Sequence, residues 1–149
     1  MPTAISTVVI RKSPEKVFDY LADITRHGEW SPKAYKATAL TDGPVGVGSK
    51  YRSVGWLPGD ANHENEVEVT AYERPRRFSF TAMDRGQAFK SDFTLTPTDG
   101  GGTKVQRVTV MPKPPGFVGV VFPVFFSLVV KPAVQKGMNM FRDKAEAQA

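Results

Sequence analysis

Apolar residues alternate in some stretches of this chain and recur every three or four positions in others, and that switch marks out its elements. Thr3 to Ile10 is mostly β-branched and reads as a strand. Ser13-Pro14-Glu15 then forms a helix start. It offers a hydroxyl N-cap, a proline whose fixed φ suits the first turn, and an acid at the positive helix end. Val17, Phe18 and Leu21 give the stripe of a packed helix, and Asp23 is placed to cap a second short turn, Ile24 to Glu29. Pro32 ends that turn and favours an extended chain after it.

The chain then reads as a run of strands: Lys33 to Leu40, Lys50 to Trp56, Asn65 to Tyr72, Arg77 to Met83, Ala88 to Thr96 and Thr103 to Met111. Turn signals separate them, among them Asp42-Gly43-Pro44, Leu57-Pro58-Gly59-Asp60, Asp84-Arg85-Gly86 and Asp99-Gly100-Gly101-Gly102. Short strands at this spacing predict an antiparallel meander. Pro132 opens a closing helix to Glu146, with Val134, Met138, Phe141 and Ala145 on one face.

Sorting each strand into its two faces gives a consistent picture. Lys50 and Arg52 share a face, and so do Glu64, Glu66 and Glu68, which predicts a solvated surface where the two sets meet. Tyr51, Ser53, His63, Asn65, Val67, Val69, Phe78, Phe80, Phe89, Ser91 and Phe93 fall on the opposite, inward side. In the last strand, Val105-Arg107-Thr109 and Gln106-Val108-Val110 are both admissible interior sets, so Arg107 faces either solvent or the interior. The inward set holds more polar groups than a plain core accommodates, since each unpaired one costs about 1–3 kcal/mol. Either they pair among themselves or they line a wet pocket.

Composition narrows the chemistry. The chain has 149 residues, a length that buries a core without staples and is most simply one domain over 1–149. It has no cysteine, which removes disulfides, thiol nucleophiles and thiolate metal sites together. With two histidines and no His-Glu-x-x-His helix, no metal site is expected, and no cofactor motif stands out. The net charge of +5 is scattered rather than clustered, so nucleic acid is not an expected partner. Met1-Pro2 leads straight into a strand with no signal-peptide pattern, and a cytoplasmic location is expected.

Several of these motifs together resemble a family. They are Ser13-Pro14 with Val17-Phe18 and Leu21-Ala22-Asp23, Glu29-Trp30-Ser31-Pro32, Gly48 before a strand, Arg74-Pro75-Arg76-Arg77-Phe78, and Gly101-Gly102-Thr103-Lys104-Val105. With the closing helix they make the chain similar to the START-like (SRPBCC) superfamily, in particular to polyketide cyclase/dehydrase-like proteins. The resemblance implies an α+β helix-grip fold. About seven antiparallel strands would curve around a long C-terminal helix, with two short helices after the first strand. It also implies an internal cavity for a hydrophobic or amphipathic ligand. No catalytic motif is shared across that superfamily, so no catalytic residue carries over.

Three function classes follow. In the leading one the cavity binds a small hydrophobic or amphipathic molecule, with Phe78, Phe80, Phe89, Phe93, Met138 and Phe141 as its apolar wall. Tyr51, Ser53, His63, Asn65 and Ser91 would orient polar groups, and Arg107 would hold an acid. In the second, a polyketide cyclase or dehydratase, His63 or Tyr51 would move protons and Arg107 would stabilise negative charge. The third is a protein-interaction or regulatory module with a filled interior. Against these roles, His63 also reads as a loop-edge residue and His27 as a surface or capping residue, while Trp30 either caps the pocket or packs between the short helix and the sheet.

Gly116 to Val130 is strongly apolar, interrupted by Pro123, and too short to span a bilayer, which needs about 20 apolar residues. It is expected to be buried or to gate the cavity. Contact with a second copy of the chain comes next, and contact with a membrane after that.

Overall fold

The computed structural model describes residues 2–57 and 60–148. Its order is β1 (Thr3–Ile10), α1 (Pro14–Ala22), a 3-10 segment (Ile24–Trp30), β2 (Tyr35–Ala39), β3 (Lys50–Leu57), β4 (Asp60–Glu73), β5 (Arg77–Asp84), β6 (Gln87–Pro97) and β7 (Thr103–Val110). Then come α2 (Gly116–Phe125), a π turn (Phe126–Val130) and α3 (Lys131–Glu146). The seven strands form one antiparallel sheet in the order β1-β7-β6-β5-β4-β3-β2. This is the helix-grip arrangement expected from the sequence, with the long C-terminal helix lying against the sheet.

Local chemistry accounts for most of these elements. In β1 the alternation is strict, with Ala4, Ser6, Val8 and Ile10 buried and their neighbours exposed. Ser13 Oγ accepts the Lys16 amide and caps α1, with Pro14 in the first turn. Asp23 departs from its expected role, because its carboxylate accepts the Thr25 hydroxyl and caps no backbone amide. Strand β2 begins at Tyr35 and β4 at Asp60, so the first is shorter and the second longer than the sequence pattern indicated. The expected turn at Pro58-Gly59 lies outside the described residues. A bulge between Val69 and Ala71 adds a bend to long β4.

The predicted charged surface is present: Lys50 Nζ lies 3.8 Å from Glu66 and 3.7 Å from Glu68 across the β3–β4 pair. In β7 the interior set is Val105, Arg107 and Thr109, and Arg107 therefore points inward.

Below the sheet the core is dense. Phe18, Phe78, Phe93, Met138 and Phe141 are fully buried, and Tyr51 is nearly so. Phe78 meets Phe18, Phe80 and Phe93 at centroid distances of 6.1–6.5 Å, and Phe141 stacks on Tyr20 at 5.6 Å. These contacts fill the end of the sheet that α1 covers.

The apolar stretch before α3 differs most from expectation. Pro123 does not break it. Gly116 to Glu146 is a single run of 31 helical residues, about 46 Å long at 1.5 Å per residue. By length and composition it is able to cross a membrane, which corrects the reading that it is too short and too interrupted. Proline removes one backbone donor, and the widened π turn that follows absorbs the mismatch. Nor is the stretch buried. Only Gly119, Phe122 and Phe126 are buried, while Phe117, Val120 and Leu128 are 79%, 71% and 72% exposed.

Candidate functional site

Between the sheet and α3, on the side away from α1, lies a chamber of about 480 Å³. Phe80 and Phe89 from the sheet and Val130 and Val134 from the helix supply its apolar walls. Exposed Lys33, Lys90 and Val129 mark its mouth. A second space of about 380 Å³ continues from it past Ser53, Asn65 and Phe89 towards Trp56 and His63. Both volumes lie in the range of small-molecule pockets, about 300–1,000 Å³.

The chamber gathers the unpaired polar atoms of the interior. Among the described residues, four buried side-chain atoms lack a hydrogen-bond partner: Trp30 Nε1, Asn65 Oδ1, Arg107 Nε and Thr109 Oγ1. All four belong to residues that line the chamber. A folded protein rarely leaves such groups unpaired, at about 1–3 kcal/mol each. They reach the chamber from three elements: Trp30 from the 3-10 segment, Asn65 from β4, and Arg107 and Thr109 from β7.

Arg107 is the one arginine among the described residues that line the chamber. It descends from β7, and Nη2 donates to Ser91 Oγ at 3.1 Å. The guanidinium carbon lies 5.2 Å from the Phe93 ring centre and 5.9 Å from that of Trp30. Burial pushes its pKa down to about 10, and the one titratable neighbour that acts against this is the Tyr35 phenol rather than a carboxylate. Among the described residues, this half-buried cation thus faces the chamber beside aromatic rings rather than beside a carboxylate.

His27 corrects its sequence reading as a surface or capping residue. The 3-10 segment turns once every three residues, so Ile24, His27 and Trp30 stack on one side and all three are buried. The His27 ring lies 4.6 Å from Trp30 and 5.7 Å from Phe80, with Nε2 2.7 Å from the Leu21 carbonyl oxygen. A carbonyl only accepts, so Nε2 carries the proton and Nδ1 is left as the acceptor. Burial pushes its pKa down to about 4, the Leu21 bond opposes that, and the Arg107 charge adds to it. His27 is therefore neutral at pH 7.

His63 has the opposite environment. Nδ1 lies 3.0 Å from Asp60 Oδ2 and Nε2 2.8 Å from Asp84 Oδ1. The two carboxylates, Asp60 foremost, raise its pKa above the usual imidazole value. With both nitrogens engaged by carboxylates, the ring sits at the far end of the second space rather than being offered to a substrate.

Of the residues singled out from sequence, Ser53, Asn65, Phe80, Phe89, Ser91 and Arg107 come together around the main chamber, and His63 lies on the second space. Tyr51, Phe78, Phe93, Met138 and Phe141 do not line it, because the dense packing beneath α1 and α3 encloses them completely. Nor does Tyr51 meet His63. They pair with Val67 and Gly55, and the four steps along β3 from Tyr51 to Gly55 span about 13 Å. Tyr35, Thr109 and His27 were missed. The three-residue spacing from Ile24 through His27 to Trp30 was the available signal for His27. Tyr35 shares an inward face of β2 with Ala37 and its hydroxyl pairs with Ser53. Among the described residues no group of three or more His, Asp or Glu side chains is placed to hold a metal ion.

Comparison with known proteins agrees with this architecture. No curated protein matches the chain. Solved structures do. TTHA0849 from Thermus thermophilus superposes with a TM-score of 0.80 at 14% identity, covering 98% of each chain. A START superfamily protein from Mycobacterium smegmatis gives a TM-score of 0.68 at 16% identity, covering 97% of this chain and 94% of its own. The di-domain ARO/CYC BexL, from the BE-7585A biosynthetic pathway, gives 0.72 at 13% identity, covering 99% of this chain and 51% of its own. At such identities the likeness speaks for the fold alone. The family described as polyketide cyclase / dehydrase and lipid transport matches residues 1–146, and the chain, built on this helix-grip frame, belongs to it.

Proposed function

We propose that this protein binds a small amphipathic molecule carrying an acidic group. The apolar body would rest against Phe80, Phe89 and Val134, with the acid against Arg107 and its Ser91 partner. One observation carries the reading: a half-buried guanidinium with no carboxylate beside it among the described residues, its Nε unpaired and facing the chamber that the other orphaned polar groups also line. An arginine fork suits a planar carboxylate, an enolate or a phenolate.

A matched pair of probes tests this. In calorimetry, 2-naphthoic acid should bind at least tenfold more tightly than 2-naphthamide, and Arg107→Met should erase the difference. Equal binding of the two by the unaltered protein would remove the acid from the proposal. Native mass spectrometry of protein purified from its own cells, followed by denaturing extraction, would give the natural ligand for the same comparison.

A second reading, a cyclase or dehydratase acting on a polyketide-like substrate, draws on a separate observation. His27 is held neutral on the same chamber as Arg107, so a base stands near an anion-stabilising group. The proton-transfer role given to His63 and Tyr51 from sequence would pass to His27. A His27→Gln protein that binds the extracted ligand normally but no longer converts it would favour this reading; unchanged conversion would remove it.

A further inference from the structure

We infer that the exposed face of α2 and the π turn docks on an anionic lipid surface. Eight large apolar side chains between Phe117 and Val129 are 47–79% exposed. At 100° per residue they sweep about half the helix circumference, while Gly119, Phe122 and Phe126 hold the other side to the protein. Ser127 is the only polar side chain from Pro114 to Val130. A surface so broad and so poor in hydrogen-bonding groups has nothing to fix the register of a protein partner, and it matches what an acyl boundary accepts.

Charge selects the occupant. Lys113 and Lys131 bracket the apolar run, and both are exposed. From Gly100 to Arg142 the chain carries six cationic residues and no Asp or Glu. Pairing this helix with a second copy, parallel or antiparallel, would bring lysine against lysine at both ends. Anionic headgroups would neutralise the same lysines. Position agrees as well: Val129, Val130 and Val134 belong to this helix and to the chamber wall, so the docked face lies beside the chamber mouth, where Lys33 and Lys90 are also exposed. The inference does not depend on the acidic-ligand proposal, and either stands if the other fails.

Flotation of the full chain with vesicles tests it. Vesicles of 70% phosphatidylcholine and 30% phosphatidylglycerol should carry the protein upward at 0.1 M salt. Pure phosphatidylcholine should retain at least tenfold less. Val120→Glu with Leu128→Glu should abolish flotation, and Lys113→Glu with Lys131→Glu should remove the preference for phosphatidylglycerol. Neither pair touches the core, so unchanged circular dichroism and unchanged naphthoate binding are expected of both variants. No flotation of the unaltered protein with either vesicle overturns the inference. A concentration-dependent dimer in sedimentation, dissolved by the glutamate pair and accompanied by no flotation, also overturns it and gives the face to a second copy.

Discussion

Arg107 stands opposite Phe93 in the β6–β7 register, its guanidinium carbon 5.2 Å from the ring centre. Aromatic faces thus take the place a carboxylate would normally occupy. A cation–π contact is worth about 0.5–2 kcal/mol, less than the several kcal/mol that burying a charge costs. On that balance, Arg107 costs the fold stability that a bound anion would return. Arg107→Met is expected to raise its stability by roughly 1–3 kcal/mol in urea unfolding, while affinity for a carboxylate probe falls at least tenfold. A less stable Met protein would mean that Arg107 is already compensated without ligand.

His27 makes the protein sensitive to mild acid. Its folded pKa of about 4 lies below the ordinary 6.5, so between those values the unfolded chain binds the proton and the folded one refuses it. The contribution is complete above pH 6.5 and is lost as pH falls towards 4, a total of roughly 3 kcal/mol. His27→Gln keeps a donor for the Leu21 carbonyl and removes the titration. Urea midpoints measured from pH 7 to pH 4.5 should fall more steeply for the unaltered protein than for the Gln variant. Parallel curves would show that His27 titrates normally. Carboxylates held low by their partners, Glu29 and Glu146 among them, lose their contribution at lower pH and do so in both proteins.

The strands and the helix cap were legible because each is fixed by near neighbours: β-branched alternation in β1, and Ser13-Pro14 at the start of α1. The inward polar set of β3, β4 and β6 was legible for the same reason, since a strand's two faces follow from counting by two. What the sequence hid depends on long-range packing. Phe93 and Phe80 are equally apolar strand residues, yet α1, α3 and Trp30 close over the first, while the second lines the chamber. The face of β7 is decided by its pairing on one side with β6 and on the other with β1, a strand about 100 residues earlier in the chain. The exposure of α2 follows from how few of its residues touch the sheet, which periodicity within a uniformly apolar segment does not encode.

His63 titrates in the opposite sense to His27. Held between Asp60 and Asp84, its pKa is raised, so the bonded cation contributes stability that is complete below pH 6.5 and is lost as pH climbs through the raised value. The imidazole carbon-bound protons should titrate above 6.5 by nuclear magnetic resonance, while those of His27 should show no transition at that pH. Asp60→Asn and Asp84→Asn should each lower the His63 midpoint. A midpoint at or below 6.5 in the unaltered protein would mean that the two carboxylates do not hold the ring in solution.

Gly28 sets how closely the 3-10 segment approaches β2. A Cβ at this position would lie 2.2 Å from the Tyr35 carbonyl oxygen, which is backbone and has no rotamer through which to yield. The close approach places His27 and Trp30 against the same chamber that Tyr35 lines from β2. In Gly28→Ala the segment and the strand must part, with a loss of roughly 1–3 kcal/mol, as overpacking typically produces. Because the displaced elements are chamber walls, probe affinity should fall together with stability. A control at Gly46, where an added Cβ meets nothing within 4 Å, should change neither. If Gly28→Ala unfolds at the same urea concentration as the unaltered protein, the segment has room to move, and the position of His27 on the chamber wall does not depend on Gly28.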